Sequence, residues 1–438
     1  MADILIVYTR APWQAWRPTY SSHLKSFERH SGHNCFYLNT FRPVVPAHLT
    51  SIRPDLVVFH YTFLAWRQNP EEFARHVDRI SFIRDLECPK AIIPHDEQTQ
   101  AQELCDLIRS FDVSHVFTPA SSQAWKSIYA GIDPERVSFK RVLTGYIDEG
   151  IVRETAARAR RSAPRTVDVG YRAWDVFPYW GRHGLLKGEI GRAFRESAPA
   201  YDLVTDISNN PADALLGDDW FDFLLSCKYT IGVEGGTSII DRDGSIAKRT
   251  DEYTAAHPDA PFEEVEAACF PGLDGGFDYR LIGPRHLEAA VTKTAQVLVE
   301  GDYQGVLRAG DHYIELKRDF SNLDDVLARI KRDDLRAGMV ERAYRDVVLS
   351  GAYSYRAFAD LVFRETLGDE RGHNSLASSF WVRWNHVEDA FNIWDTARRA
   401  NSKPPSGVRR LFDRVIGQLR PKRLRTLVRR IRKRLRRT

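Results

Sequence analysis

Residues 166–194 read TVDVGYRAWDVFPYWGRHGLLKGEIGRAF. The first six alternate and are rich in β-branched side chains, as a buried strand would be, and Leu186, Ile190 and Phe194 recur at helical spacing over 187–194. The stretch between them predicts a loop carrying Gly181-Arg182-His183-Gly184 and closing on Lys187-Gly188. Where a strand gives way to a helix, the helix start offers unpaired N–H groups and the positive end of its dipole, and Arg182 and Lys187 beside it suit a diphosphate. A solvated basic loop fits the same residues.

On either side the chain alternates strand and helix. Before this stretch, strands are expected at 3–9, 35–38, 55–60, 90–94, 115–118 and 137–143, with helices at 21–30, 71–86, 102–111 and 122–129. After it come strands at 201–207, 229–233, 297–300 and 313–316, and helices at 220–228, 286–294, 324–330 and 335–349, with an irregular insert before 286. Such alternation predicts an α/β protein of two Rossmann-like domains, each a parallel sheet covered by helices, facing across a cleft. The acceptor-side domain is expected over 1–153, a charged, Ala-rich connection over 154–165, and a donor domain over 166–370. A C-terminal crossover helix over 371–401 and a linker with tail over 402–438 complete the expectation. Ligands of open parallel sheets meet the loops at the carboxyl ends of the strands, which puts His60, His95, Asp96 and Glu97 on the cleft.

At 438 residues the chain is long enough for two cores, and 43% hydrophobic residues with 23 Phe, 17 Tyr and 10 Trp indicate a globular protein. No apolar run reaches the roughly 18 residues of a membrane helix, and MADILIVYTR enters a strand at once, which predicts a cytoplasmic location. Cys35, Cys88, Cys105, Cys227 and Cys269 are scattered without a paired spacing, which argues for reduced thiols and against a zinc site. The net charge of +4 is unevenly spread: residues 408–438 hold 14 Lys and Arg against Asp413 alone, a surplus of +13 that leaves −9 on the rest. In that tail Leu424, Leu427, Val428, Ile431 and Leu435 fall on one helical face. This predicts a basic amphipathic helix on an anionic membrane surface, where each basic residue contributes about 1 kcal/mol. The acidic body shows no nucleic-acid module, so nucleic acid is not expected as a partner.

Two more stretches carry candidate chemistry. In 229–244, YTIGVEGGTSIIDRDG, a strand runs into Gly235, Gly236, Thr237 and Ser238, whose N–H and hydroxyl groups can approach a phosphate, and Glu234 stands at the strand end. A tight turn with a satisfied Glu reads equally well. Asp241-Arg242-Asp243-Gly244 lacks the further ligands of a calcium loop. In 283–290, Pro284 suits a helix start, with Arg285 and Glu288 in the first turn, where a carboxylate can take the hydroxyls of a ribose or simply answer the helix dipole.

Together these residues resemble a GT-B glycosyltransferase of the family 1-type retaining group. Gly181-Arg182-His183-Gly184-Leu185-Leu186-Lys187-Gly188 matches its G-R-x-x-x-x-K-G loop, and Glu288 resembles the Glu-Ala of its ribose-binding helix, while position 280 is Arg280 where that group has a second Glu. Over roughly residues 50–367 the chain is similar to bacterial glycosyltransferases with a CgeB-like C-terminal domain, in His95-Asp96-Glu97, Val142-Leu143-Thr144-Gly145-Tyr146, Gly170-Tyr171-Arg172-Ala173-Trp174, Arg182-His183-Gly184, Gly217-Asp218-Asp219-Trp220, Gly232-Val233-Glu234-Gly235-Gly236 and Cys269-Phe270-Pro271-Gly272.

The resemblance implies sugar transfer from a nucleotide sugar to an acceptor in bacterial surface polysaccharide, glycolipid or spore-coat synthesis. It implies that Arg182 and Lys187 hold the donor phosphates, with Gly235, Gly236, Thr237, Ser238 and Arg285 around them and Glu288 on the ribose. Asp96 is then the first choice of base, with Glu97, Glu234 and His183 as further catalytic candidates and His60 and His95 on the acceptor side. No cofactor is obligatory in this reading and no metal ligands are assigned, a divalent metal being left open. The partners are the nucleotide sugar, a glycan or lipid-linked acceptor, and the inner face of the cytoplasmic membrane through 408–438. A nucleotide-sugar epimerase and a non-catalytic scaffold on the same fold are the competing classes.

Overall fold

In the computed structural model, residues 1–11, 16, 18–368 and 382–389 are described. Strands β1 (Asp3–Tyr8), β2 (Asn34–Asn39), β3 (Leu56–His60), β4 (Lys90–Ile93), β5 (His115–Thr118) and β6 (Ser138–Arg141) form one sheet in the order β2-β1-β3-β4-β5-β6, every pair parallel. The runs LVVFH of β3 and KAII of β4 are buried throughout, as strands covered on both faces must be. In the second half come β7 (Val167–Arg172), β8 (Thr205–Ser208), β9 (Cys227–Gly232), the antiparallel pair β10 (Gly235–Thr237) and β11 (Tyr279–Leu281), β12 (Ala295–Val299) and β13 (Ile314–Leu316). Five of these make a parallel sheet in the order β13-β12-β9-β7-β8. Two Rossmann-like domains in tandem, the α/β architecture of the GT-B fold, are therefore present.

Each sheet has one point where the strand order reverses, between β1 and β3 and between β7 and β9. Helices diverge to opposite faces there and leave a crevice at the strands' carboxyl ends. In the second sheet that crevice opens at Arg172, the last residue of β7, and beyond Gly232, the last of β9.

The domains are not independent. One face of the first sheet packs Leu5, Val7, Val57, Phe59 and Ile92 in a cluster that includes Phe277, Tyr279 and Leu281 from the second half of the chain. The other face packs Ile4, Ile6 and Val58 with Tyr355, Phe358, Val362 and Phe363 of the helix Tyr355–Leu367. Residues 382–389 are helical and lie along the outer strand β2: Asn385 Oδ1 accepts from the Tyr37 N–H at 2.7 Å, and Asn385 Nδ2 donates to the Tyr37 carbonyl at 3.0 Å. An exposed edge is thereby paired. These residues fall within the expected crossover helix; the rest of 371–401, and the expected amphipathic tail 408–438, lie outside the described residues.

Three expectations change. The helix after β7 spans Gly181–Ser197, so Gly181-Arg182-His183-Gly184 is its first turn and not a loop. The turn Pro178–Trp180 leads directly into it, Gly181 taking φ +71° at the junction. The expected connection 154–165 begins inside the helix Glu149–Ala159, whose Asp148 side chain accepts from the Gly150 N–H. The irregular insert contains the helices Ser245–Ala256 and Phe262–Cys269 as well as β11.

Candidate active site

At the reversal point of the second sheet lies a cavity of about 150 Å3, lined by Arg172, Trp174, Asn210, Leu216, Trp220, Arg285 and Glu288 from that domain and by Pro18 and Thr19 from the first. Its wall is the start of the helix Pro284–Val291, with Gly283 as N-cap and Pro284 in the first turn. A positive dipole end thus faces the cavity. Arg285 stands beside it, with its guanidinium donating to the Arg172 carbonyl and lying 5.4 Å from the Trp220 ring. No carboxylate pairs with Arg285 among the described residues. Arg172 is more constrained: it pairs with Asp206 at 2.8 Å and lies 4.4 Å over the Phe223 ring, while its buried Nε has no hydrogen-bond partner. Glu288, one turn into the helix, accepts from the Trp220 indole N–H at 2.8 Å. Two guanidiniums, a helix start and a fixed carboxylate can hold a phosphate at one end and hydroxyls at the other.

Of the residues expected to bind a donor, the structure brings together Arg285 and Glu288. Arg182 is not with them. Its side chain, 52% exposed, meets Glu266 at 2.8 Å, Asp274 at 3.0 Å and Glu263 at 3.4 Å, and stands 4.6 Å over the Phe262 ring. The anion position at that helix start is filled by the chain's own Asp274, whose carboxylate takes the Arg182 N–H at 3.2 Å and the Ser238 hydroxyl at 2.5 Å. Lys187, further along the same helix and half-buried, has its ammonium 5.5 Å from the Trp180 ring. Gly235, Gly236 and Thr237 form no phosphate loop. They are strand β10, in register with Leu281, Arg280 and Tyr279, and the Thr237 hydroxyl donates to the Ile239 carbonyl at 2.7 Å.

The catalytic candidates separate in the same way. Asp96 is exposed beyond the carboxyl end of β4, in a left-handed conformation with φ 53°. Glu97 is sealed: it is fully buried, with Oε2 accepting from the Tyr279 hydroxyl at 3.0 Å and Oε1 from the Tyr129 hydroxyl, and burial pushes its carboxyl up to about 7. No acceptor reaches it in this arrangement. Glu234 is 4% exposed, and its carboxylate takes the Tyr303 N–H at 2.8 Å, tying the loop after β12; burial raises it above the usual carboxylate range. His183 Nε2 lies 3.1 Å from the Glu234 carbonyl, and Arg318 Nη1 lies 3.3 Å from its Nδ1. Burial first, and then the Arg318 charge, bring His183 down to about 4, so its ring is neutral at pH 7.

His60 and His95 sit at the reversal point of the first sheet together with His23, which the sequence did not single out. His60 Nε2 lies 2.9 Å from His23 Nδ1, and His95 stacks on Tyr61 at 3.9 Å between centroids. Burial holds all three below the ordinary histidine range, His95 at about 3. Among the described residues, no group of three or more His, Cys, Asp and Glu is placed to hold a metal ion, and no helix is long and apolar enough to cross a membrane.

Arg172 and Trp220 line this cavity and were not among the residues expected to bind a donor. The signal for Arg172 was its position as the last residue of the strand beside the reversal point; Trp220 had only its place in Gly217-Asp218-Asp219-Trp220, and nothing in the sequence pairs it with Glu288.

No family model matches the chain, and no curated protein matches it by sequence. Similar solved structures include HepE from Anabaena in complex with UDP, 12% identical with a TM-score of 0.45 over 84% of this chain and 100% of that one. An α-glucosyltransferase in complex with UDP and a 13-mer DNA is 10% identical, with a TM-score of 0.48 over 84% of this chain and 99% of its own. AviGT4, a glycosyltransferase involved in avilamycin A biosynthesis, is 14% identical, with a TM-score of 0.41 over 84% and 99%.

Proposed function

We propose that this chain is a glycosyltransferase that takes its sugar from a nucleotide donor bound in the cavity at the β7–β9 reversal point. The observation that carries the reading is the grouping of Arg285, Arg172 and the start of the helix Pro284–Val291 within one cavity that also holds the Glu288 carboxylate. The diphosphate lies against Arg285 and the helix start, and Glu288 accepts from the ribose hydroxyls. As the glycosidic bond breaks, negative charge grows on the leaving phosphate, and cations and dipoles already aimed at it stabilise that charge without reorganising. The acceptor enters from the first domain. Asp96 serves as its base because, of the carboxylates expected there, it is the exposed one, while Glu97 is closed off. The acceptor is a glycan or lipid-linked sugar of a bacterial surface polymer, and the basic residues of 408–438 hold the enzyme on the inner, anionic face of the cytoplasmic membrane.

The test is a thermal-shift screen against UDP, GDP, ADP, dTDP, CMP and CDP with Arg285→Ala and Glu288→Ala alongside, followed by hydrolysis or transfer assays with the matching nucleotide sugars. A ligand at about 100 times its Kd stabilises by about 2.7 kcal/mol. One nucleotide stabilising the wild type, and each variant less at the same concentration, is the expected result. No response to any of them, with no consumption of any nucleotide sugar, sinks the reading.

A further inference from the structure

One helix sets the charged groups of the cavity. In Asp218–Ser226, Trp220 and Phe223 stand three residues apart on one face, their rings 5.7 Å between centroids and 28° between planes. Trp220 holds Glu288 through its N–H and underlies Arg285; Phe223 underlies Arg172. The Phe223 ring is in turn fixed against bare backbone, because a Cβ on Gly170 of β7 would stand 2.8 Å from its Cζ and 2.3 Å from Cys227 Sγ. The ring pair therefore sets the positions of both guanidiniums and of the carboxylate relative to β7.

An indole N–H is a donor and nothing else, so it engages Glu288 Oε2 only as an acceptor and fixes the rotation of the carboxylate. We propose that Trp220 is a positioning residue that orients Glu288 for the hydroxyls of a ribose, and that this chain separates ribonucleotides from 2′-deoxyribonucleotides through that contact. The inference rests on the donor-cavity reading above. Without the N–H the carboxylate loses the donor that sets its rotation towards the sugar, whereas the Arg285 contact with the phosphate stays. The loss then falls on the ribose and not on the nucleotide as a whole.

Trp220→Phe is the informative variant, since it keeps the ring against Arg285 and Phe223 and removes the donor. Binding is measured calorimetrically for UDP and 2′-deoxy-UDP, GDP and 2′-deoxy-GDP, and ADP and 2′-deoxy-ADP. The wild type is expected to prefer the ribonucleotide of one pair by about tenfold, Trp220→Phe to cut that ratio about fivefold, and Glu288→Ala to bring it near one. A merely structural Trp220 weakens both members of the pair alike; an unchanged ratio in Trp220→Phe overturns the proposal. The contact is also read without ligand. In 15N-labelled protein the indole resonance missing from Trp220→Phe is expected to be protected from exchange and to move in Glu288→Gln, and a freely exchanging, unmoved resonance overturns it. If the wild type binds none of the six and none of dTDP, CMP and CDP, the donor reading fails and the ribose role falls with it, even where the indole resonance reports the contact; binding of dTDP alone overturns the ribose role and leaves the donor reading standing.

Discussion

An arginine already ringed by several carboxylates is poorly placed to serve a phosphate, and that separates two residues which look alike in the sequence. Arg182 has three carboxylates within 3.4 Å, and its helix start is occupied by Asp274. Arg285 has a backbone carbonyl and an aromatic ring. Arg182→Ala is therefore expected to leave nucleotide affinity within about twofold and, with a half-exposed side chain, to change stability by less than about 1 kcal/mol. Arg285→Ala is expected to weaken binding about tenfold or more, the scale of a lost charge-assisted hydrogen bond. Isothermal titration of the two variants side by side decides, and the opposite ranking would place the phosphate at the Gly181 end. The acids sort by the same rule. Asp96→Asn is expected to lower turnover about a hundredfold or more with nucleotide binding unchanged, as loss of a general base does; full activity in that variant would remove Asp96 from the chemistry.

At the scale of elements, the pair β10–β11 is the feature the sequence least announced. It carries Tyr279 from the second half of the chain to Glu97 in the first. Burial holds the Glu97 carboxyl at about 7, above its value in an unfolded chain. Between roughly pH 4.5 and 7 the native state therefore keeps a proton that the unfolded state has released, so this group's contribution to stability falls as pH rises through that window. Melting of the wild type is expected to drop more between pH 5 and 7.5 than melting of Glu97→Gln, by roughly 1 °C for each kcal/mol involved in a chain of this length. Parallel pH profiles for the two proteins would show that Glu97 does not titrate this way. Continuous apolar runs such as LVVFH and KAII could be read directly as buried strands, because a strand covered on both faces leaves that record in its own residues. The surroundings of Arg182 could not, since they include Asp274, 92 positions away. Gly235, Gly236 and Thr237 misled for the same reason: whether glycines make a phosphate loop or a strand depends on whether a partner strand such as β11 lies beside them. The place of Arg285 and Glu288 at a helix start was legible because Pro284 marks that start locally.

For the molecule as a whole, the chain ties its two sheets together at several points. Phe277, Tyr279 and Leu281 complete one face of the first sheet's core, and the helix Tyr355–Leu367 completes the other. Between them, the backbone of Asp241 pairs with that of Gln98 and Gln100 at 2.8 Å each, and Arg242 reaches the Ile128 carbonyl at 3.1 Å. Two Rossmann-like domains joined only by a connection would be expected to unfold as separate units. Here, unfolding the second half strips apolar side chains from both faces of the first sheet, so the first domain does not retain a closed core alone. Calorimetry is expected to give one transition with equal calorimetric and van't Hoff enthalpies, and binding of a nucleotide in the second domain to raise the melting of the first along with it. Tyr279→Ala is the discriminating variant, because it removes a core side chain of the first sheet together with the hydroxyl that Glu97 accepts from. It is expected to cost about 3–5 kcal/mol, the range for truncating a buried aromatic, while the unfolding stays a single transition. Two resolved transitions in the wild type would mean that β11 and the helix Tyr355–Leu367 rest on the first sheet without supporting it.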